Sequence, residues 1–338
     1  MSVGLDVGSK TIKIIELEEE SAGYSLRGSG IVGYQGTQIE NINDDRELAA
    51  LGGIIKKLHK EAGISKKDVI ISLPESDVFT RTIRFPLLTD QEIASAVKWE
   101  AEQYIPIPVE EAVVQHKIIE RDEKSNPPKV SVLLVAAPEA IVDKYARVVR
   151  SAGLNTVAVE TELMSLVRAL APEGQTTLIL DFGSSSTDIA IAKDRNIVFS
   201  RSIPTAGDAF TRAVSRSLGV DAKQAEEYKK SYGLSDKLLE GKIKIALKPV
   251  VDLVVGEIKK SIHFYQSEEK GEAPKSIILS GGSAGMPGLV SDLTQSLNIE
   301  VVMGNPFGKV KMSQEAQKTL ANYAPLYSIA VGLAMRKR

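Results

Sequence analysis

The feature that most constrains this chain is a short pattern that occurs twice. Leu178–Asp188 reads Leu-Ile-Leu-Asp-Phe-Gly-Ser-Ser-Ser-Thr-Asp and runs into a second apolar stretch, Ile189–Ala192. Near the start, Gly4-Leu5-Asp6-Val7-Gly8-Ser9-Lys10-Thr11 leads in the same way into Ile12–Leu17. Each copy is an apolar run, an Asp-x-Gly-Ser step, a small polar turn and another apolar run. That is the pattern of two strands joined by a tight turn. Such a turn leaves backbone N–H groups able to cradle an anion. The Asp just ahead of it stands where a carboxylate can hold a hydrated divalent cation beside that anion. Asp-x-Gly hairpins also occur with no ligand, so either copy alone carries little. Two copies point to two related α/β halves, each with a phosphate turn.

A third piece adds to the pair. Ile277-Ile278-Leu279 is an apolar strand that opens into Ser280-Gly281-Gly282-Ser283-Ala284-Gly285-Met286 and then a helical stretch. Adjacent glycines lack side chains, so a flat base or ribose can lie against the backbone. The trio in this order resembles the phosphate-1, phosphate-2 and adenosine motifs of the actin-like ATPase superfamily, which includes actin, MreB, FtsA, heat-shock chaperones and sugar kinases. The resemblance covers nearly the whole chain. It implies an α/β actin-like ATPase fold, with two duplicated α/β domains around a nucleotide cleft.

The resemblance also implies ATP with Mg²⁺ as cofactors. Asp6 and Asp181 would face the metal. Gly8, Ser9, Lys10 and Thr11 would contact phosphate, and Lys13, seven residues after Asp6, has the spacing of a phosphate-contacting lysine. On a regular strand Lys10 and Lys13 face opposite ways, so only one of them points into the cleft. Gly183, Ser184 and Ser185 form the second phosphate turn. Gly281, Gly282, Ser283 and Met286 would border the adenosine. Thr205–Phe210 resembles a Gly-Asp segment in which Gly207 lies near phosphate or ribose, while Asp208 reads equally as a helix N-terminal residue. Ala225–Lys229 resembles a segment in which Glu226 meets the ribose hydroxyls and Lys229 lies over the base, with Lys230 beside it. The alternative for these three is an ordinary solvated helix face with charged i,i+3 and i,i+4 pairs. For the chemical step, Asp181 and Glu160 are the candidate catalytic residues. At least one of Glu160 and Glu162 reads better as an acid at a solvated helix start, where it suits the dipole. No residue of the Thr156–Leu163 segment is an unambiguous water activator, so the expectation is at most a slow ATPase.

Composition closes other routes. The chain has 338 residues and a formal net charge of −2, which offers no electrostatic case for nucleic acid. It contains no cysteine, which excludes disulfides and thiolate metal sites. His59, His116 and His263 are scattered along the sequence. No run of about 18 uncharged apolar residues suggests a membrane span. No basic-then-apolar leader precedes the first strand. The absence of a leader and of cysteine fits the cytoplasm.

Periodicity fills in the rest. Residues 1–76 read as three strands, a helix and a strand, the start of an actin-type first domain. Leu48, Leu51, Ile54, Ile55, Leu58 and Ala62 recur at helical spacing. Residues 77–153 read as strand, helix, strand, strand, helix: a small inserted α/β subdomain at the position of the FtsA-type one. Residues 154–175 return to the first domain, and 176–320 form the second domain, with a further insertion at about 210–250. Residues 321–338 read as a final helix back to the first domain. That helix closes on Arg336-Lys337-Arg338, which suit either its own C-terminal dipole or an anionic membrane. Pro249 marks a place where the helical run Ile243–Gln266 divides into two.

The inserted part contains Trp99-Glu100-Ala101-Glu102-Gln103-Tyr104-Ile105-Pro106-Ile107-Pro108. This stretch resembles one characteristic of the PilM family of type IV pilus assembly. Trp99 and Tyr104 also read as core residues of the small subdomain, and both readings stay open. The family resemblance implies a nucleotide-binding scaffold whose partner is the cytoplasmic N-terminal peptide of a PilN-type inner-membrane protein, with weak self-association as a further possibility. Two alternatives remain on sequence grounds: an FtsA-like filament-forming division protein, and a sugar or acid kinase of the same superfamily.

Overall fold

In the computed structural model, which describes residues 2–21, 23–236 and 239–337, the first pattern folds as a hairpin. β1 (Ser2–Val7) and β2 (Thr11–Glu20) pair antiparallel, with Asp6 opposite Lys13. β3 (Gly23–Gly33) continues the meander. Helix α1 (Asp45–Glu61) crosses back, its start capped by the Asp44 carboxylate, which accepts from the Arg46 N–H at 2.9 Å. β4 (Asp68–Leu73) then lies parallel to β1. Leu48, Leu51, Ile55 and Leu58 of α1 pack on Val3, Leu5, Ile12 and Ile14, so the helical period found in the sequence is the buried face.

β5 (Phe79–Pro86), α2 (Asp90–Tyr104), β6 (Ala112–Asp122) and β7 (Lys129–Pro138) make the inserted subdomain, with strand order β5-β7-β6. Thr89 and Glu92 form the capping box that the sequence spells out. Ile93, Val97 and Ala101 of α2 meet Ile83, Val132 and Leu134 in a separate small core. α3 (Glu139–Ser151) returns to the first core, and β8 (Asn155–Thr161) joins the first sheet, giving the order β3-β2-β1-β4-β8. α4 (Glu162–Leu170) follows, its Leu163 N–H donating to the buried Glu75 carboxylate at 3.0 Å.

The second pattern is the hairpin of β9 (Thr176–Phe182) and β10 (Thr187–Lys193), followed by β11 (Asn196–Ile203). α5 (Gly207–Leu218), α6 (Ala222–Tyr232) and α7 (Lys242–Ser267) come next, and then β12 (Ser276–Ser280), α8 (Leu289–Leu297) and β13 (Glu300–Met303). The strand order is β11-β10-β9-β12-β13. α7 is a single helix that contains Pro249, not two helices. A proline this near the start forfeits one backbone bond, and the buried stripe Leu247, Val251, Val254, Ile258 continues across it.

The last stretch, read as one helix, is by contrast broken. After α9 (Gln314–Ala321), Ala324–Tyr327 forms a 3₁₀ turn around Pro325, and only α10 (Ser328–Ala334) is α-helical. A Cβ on Gly4 would stand 2.7 Å from the Ala334 nitrogen, so β1 and α10 touch backbone to backbone. The last helix therefore packs on its own chain. Arg338, the end of the basic run, lies outside the described residues, as do Met1, at the start of the predicted first domain, and Lys237 and Leu238, within the predicted second insertion. Chain contacts divide the protein into two units, Met1–Ser165 with Asn196–Ser200 and Ile329–Arg338, and Leu166–Arg195 with Arg201–Ser328.

Candidate functional site

In the second unit three turns converge. Gly183 closes the hairpin turn by donating its N–H to the Ser186 carbonyl at 3.0 Å. Its own carbonyl accepts from the Gly207 N–H at 3.2 Å and from the Ser283 hydroxyl at 3.1 Å. The Asp208 N–H donates to the Ser184 carbonyl at 2.8 Å, and the Ser283 N–H to Phe182 at 3.0 Å. The start of α5 and the turn after β12 are thus tied to one peptide group of the hairpin. The missing side chain of Gly207 permits this closeness, because a Cβ there would stand 2.6 Å from the Ser283 hydroxyl and 3.1 Å from the Gly183 carbonyl oxygen. Gly281 has φ +90°, and a Cβ on it would sit 2.6 Å from the Phe182 carbonyl carbon. Ser185 is exposed at the turn tip. Gly282 is exposed too, beside a cavity of about 720 Å³ lined by residues including Met303, Phe307, Asn322 and Leu326. Met286 is buried behind the turn.

Asp181 is buried and stands opposite Asp188 in the β9–β10 ladder, which puts both carboxylates on one sheet face. Asp188 was not singled out in the sequence, although it closes the same motif. Burial pushes its carboxyl above the ordinary range, against hydrogen bonds from Ser202 and Ser186. The available sequence signal was its distance from Asp181: on antiparallel strands joined by a tight turn, that spacing places the two directly opposite.

Glu226 and Lys229 lie on α6. Lys229 is buried, and its ammonium donates to the Gly207 carbonyl at 3.1 Å, the Thr211 hydroxyl at 3.0 Å and the Glu226 carboxylate at 2.7 Å. Lys229 thereby ties α6 to the start of α5. Burial acts to raise the Glu226 carboxyl, but the hydrogen bonds from Lys229 and Thr211 and the nearby charge hold it down to about 2. Lys230 is exposed and reaches the other Glu226 oxygen at 3.2 Å.

In the first unit the turn is built differently. The Gly8 N–H donates to the Thr11 carbonyl at 3.1 Å. The buried Lys13 ammonium meets the buried Asp6 carboxylate at 2.9 Å. Lys10 is exposed, and Ser9 and Thr11 are half-buried. The alternation expected of the two lysines is present, with Lys13 on the Asp6 side. Glu160 is buried and forms an ion pair with Arg336 at 3.2 Å, so its carboxylate is engaged by the C-terminal segment. Glu162 is half-buried.

The carboxylates and the Gly/Ser turns suit a nucleotide with a hard cation. Asp6 in the first unit and Asp181 in the second are each a buried carboxylate beside a turn of their own unit, and no group of three or more His, Asp or Glu side chains among the described residues is arranged to hold a metal by itself. A Mg²⁺ ion with phosphate and water as its other ligands asks for only one or two carboxylates.

The small subdomain corrects one reading of the sequence. Trp99 is 61% exposed and Tyr104 is 38% exposed, so neither is core. Trp99 lies off the Ile93–Val97–Ala101 stripe of α2, and the Arg81 guanidinium lies 4.0 Å from the centre of the Tyr104 ring. Among the described residues no helix is long and apolar enough to cross a membrane.

These elements make up the fold of the actin-like ATPases. MreB5 of Spiroplasma citri, solved bound to AMPPNP, matches it with a TM-score of 0.56 at 14% identity, over 98% of this chain and 93% of that one. The cell division protein FtsA of Enterococcus hirae is 24% identical over 355 residues, covering 91% of this chain and 79% of FtsA. Two findings narrow the class. The family described as type IV pilus assembly protein PilM matches residues 4–338. A solved PilM-PilN type IV pilus biogenesis complex has a TM-score of 0.86 at 27% identity, covering 99% of this chain and 98% of that one. The chain belongs to the PilM family of type IV pilus assembly proteins.

Proposed function

We propose that this protein is an ATP-binding scaffold of type IV pilus assembly that captures the cytoplasmic N-terminal peptide of a PilN-type inner-membrane protein. The observation that carries the nucleotide part is the junction of Gly183, Gly207 and Ser283, three segments drawn together where a side chain on Gly207 would crowd the Ser283 hydroxyl and the Gly183 carbonyl. Ser184, Ser185 and Gly207 would face phosphate, Glu226 the ribose, and Gly282 with Ser283 the adenosine. Gly8, Ser9, Lys10 and Thr11 would supply the second phosphate turn. Mg²⁺ held toward Asp6 and Asp181 would neutralise phosphate charge. Lys13 balances Asp6, and Lys229 and Lys230 hold the Glu226 carboxylate in position.

The partner part is supported by family membership and by the subdomain's surface, where Trp99, Tyr104 and Leu87 stay exposed beside strands β5 and β6 at the edges of a three-stranded sheet. A short extended peptide can add its backbone to such an edge and seat alternate side chains in pockets. The test is a labelled PilN-type tail peptide titrated against wild type and a variant in which residues 77–153 are replaced by a short Gly/Ser link. Binding should disappear in the variant while circular dichroism shows it folded. Equal affinities for the two folded proteins would place the peptide elsewhere.

A further inference from the structure

The cavity beside Gly282 is lined wholly by the second unit, from the turn after β12 and from residues 303–326. Its volume of about 720 Å³ is that of a small-molecule site. Phe307, Leu320 and Leu326 supply apolar walls, and the Phe307 ring is held by the Tyr327 ring, 6.0 Å away between centres. Among the described residues no carboxylate lines the cavity, so it offers no counter-charge to a cationic ligand. Its uncharged polar side chains are three primary amides, Asn305, Gln317 and Asn322. An amide presents a donor beside an acceptor.

The three amides are not equivalent. The Asn305 oxygen accepts the Phe307 N–H at 3.1 Å, which commits its acceptor half. The side-chain amides of Gln317 and Asn322 make no hydrogen bond among the described residues. Asn322 caps the end of α9, and the chain passes from it into the 3₁₀ turn Ala324–Tyr327. The Pro325 carbonyl in that turn accepts from the Gly281 N–H at 3.3 Å and from the Ser280 hydroxyl at 3.2 Å. A Cβ on Gly282 would stand 3.3 Å from the Leu326 side chain. Asn322 is thus fastened to the glycine turn through the residues just after it, whereas Gln317 stands further back along α9. Asn also has one rotatable bond fewer than Gln to immobilise.

Resting on the nucleotide reading above, in which the adenosine lies against Gly282, we propose that the cavity takes the edge of the base and that Asn322 reads it. The Asn322 oxygen accepts from the exocyclic amine of adenine, and its NH₂ group donates to the adjoining ring nitrogen. Gly282 belongs both to the adenosine turn and to the cavity wall, so a base lying on it has the cavity at its edge. Phe307 and Leu326 hold a flat ring without regard to its substituents. Only the amide distinguishes a donor beside an acceptor from a bare ring edge, and a paired contact of this kind is worth about tenfold in affinity.

The test compares ATP with purine riboside triphosphate, which lacks only the 6-amino group, by calorimetry on the full chain in Mg²⁺. Wild type should bind ATP about tenfold more tightly. Asn322→Leu, shown to be folded by circular dichroism, should bind ATP about tenfold more weakly than wild type does, and should bind the two nucleotides equally. Gln317→Leu should keep the wild-type preference. Equal binding of the two nucleotides by wild type overturns the proposal and leaves the nucleotide reading standing. So does a folded Asn322→Leu that keeps the preference, or a Gln317→Leu that loses it. If wild type binds neither triphosphate, the nucleotide reading falls and the role of Asn322 falls with it.

Discussion

The two Asp-x-Gly-Ser hairpins begin from nearly the same residues and end in different electrostatic surroundings. In the first, Asp6 has a cation from its own hairpin, the buried Lys13 at 2.9 Å. In the second, the position opposite Asp181 carries another carboxylate, Asp188. The first turn closes through Gly8 and Thr11 and is tied at the Lys10 carbonyl to the Tyr34 N–H just after β3, whereas the second is fastened to the start of α5 and to the turn after β12 through Gly207 and Ser283. One motif thus serves as a charge-balanced hairpin in one unit and as a backbone junction in the other. The difference lies partly in the residue seven positions after each Asp, Lys13 or Asp188, and partly in segments outside the hairpins, and it can be tested by making parallel changes in both.

The largest effect should come from the crowded junction. Gly281→Ala places a Cβ against the Phe182 backbone at a φ of +90°, and should cost about 3–5 kcal/mol by urea unfolding. The matching change in the first turn, Gly8→Ala, meets the Thr11 carbonyl at 3.1 Å and the Lys13 ammonium at 3.3 Å, and should cost only about 1 kcal/mol. Similar losses would mean that the two turns are equally constrained.

Removing one charge at each hairpin sharpens the contrast. Lys13→Met leaves Asp6 buried without its cation and should destabilise by roughly 3 kcal/mol. Asp188→Asn removes a carboxylate whose ionised form burial already disfavours, and it keeps an acceptor for Ser186. That change should lie within about 1 kcal/mol of wild type or stabilise. Opposite rankings in chemical denaturation would break the comparison.

A smaller effect should follow acid. Glu226 has a folded carboxyl near 2 against an ordinary 4.5, so it contributes stability that is present above 4.5 and lost as pH falls toward 2. With a quarter of its side chain exposed, that contribution is about 1–2 kcal/mol. Unfolding followed from pH 5 to 2 should steepen in wild type relative to Glu226→Gln, and parallel curves would show that the Lys229 network adds nothing.

The hairpins, the α1 face and the Thr89–Glu92 cap were legible because they rest on local rules of alternation, helical period and capping. The role of Lys229 was not, since its partners Gly207 and Thr211 are 22 and 18 residues away and only the packing of α5 on α6 brings them near. Pro249 misled because buried contacts on either side of it outweigh one lost backbone bond. Trp99 was ambiguous because its size argues for core, whereas its position on α2 argues for exposure, and position won. Asp188 was legible in principle, as the residue directly opposite Asp181.

Calorimetry shows whether these turns hold Mg-ATP. ATP titrated into wild type in Mg²⁺ should bind more tightly than in EDTA. In Asp181→Ala, shown to be folded by circular dichroism, the two titrations should coincide because the metal has lost its carboxylate. An unchanged Mg-ATP affinity in that variant, or no ATP binding to wild type in either buffer, would mean that Asp181 and its turn do not hold Mg-ATP.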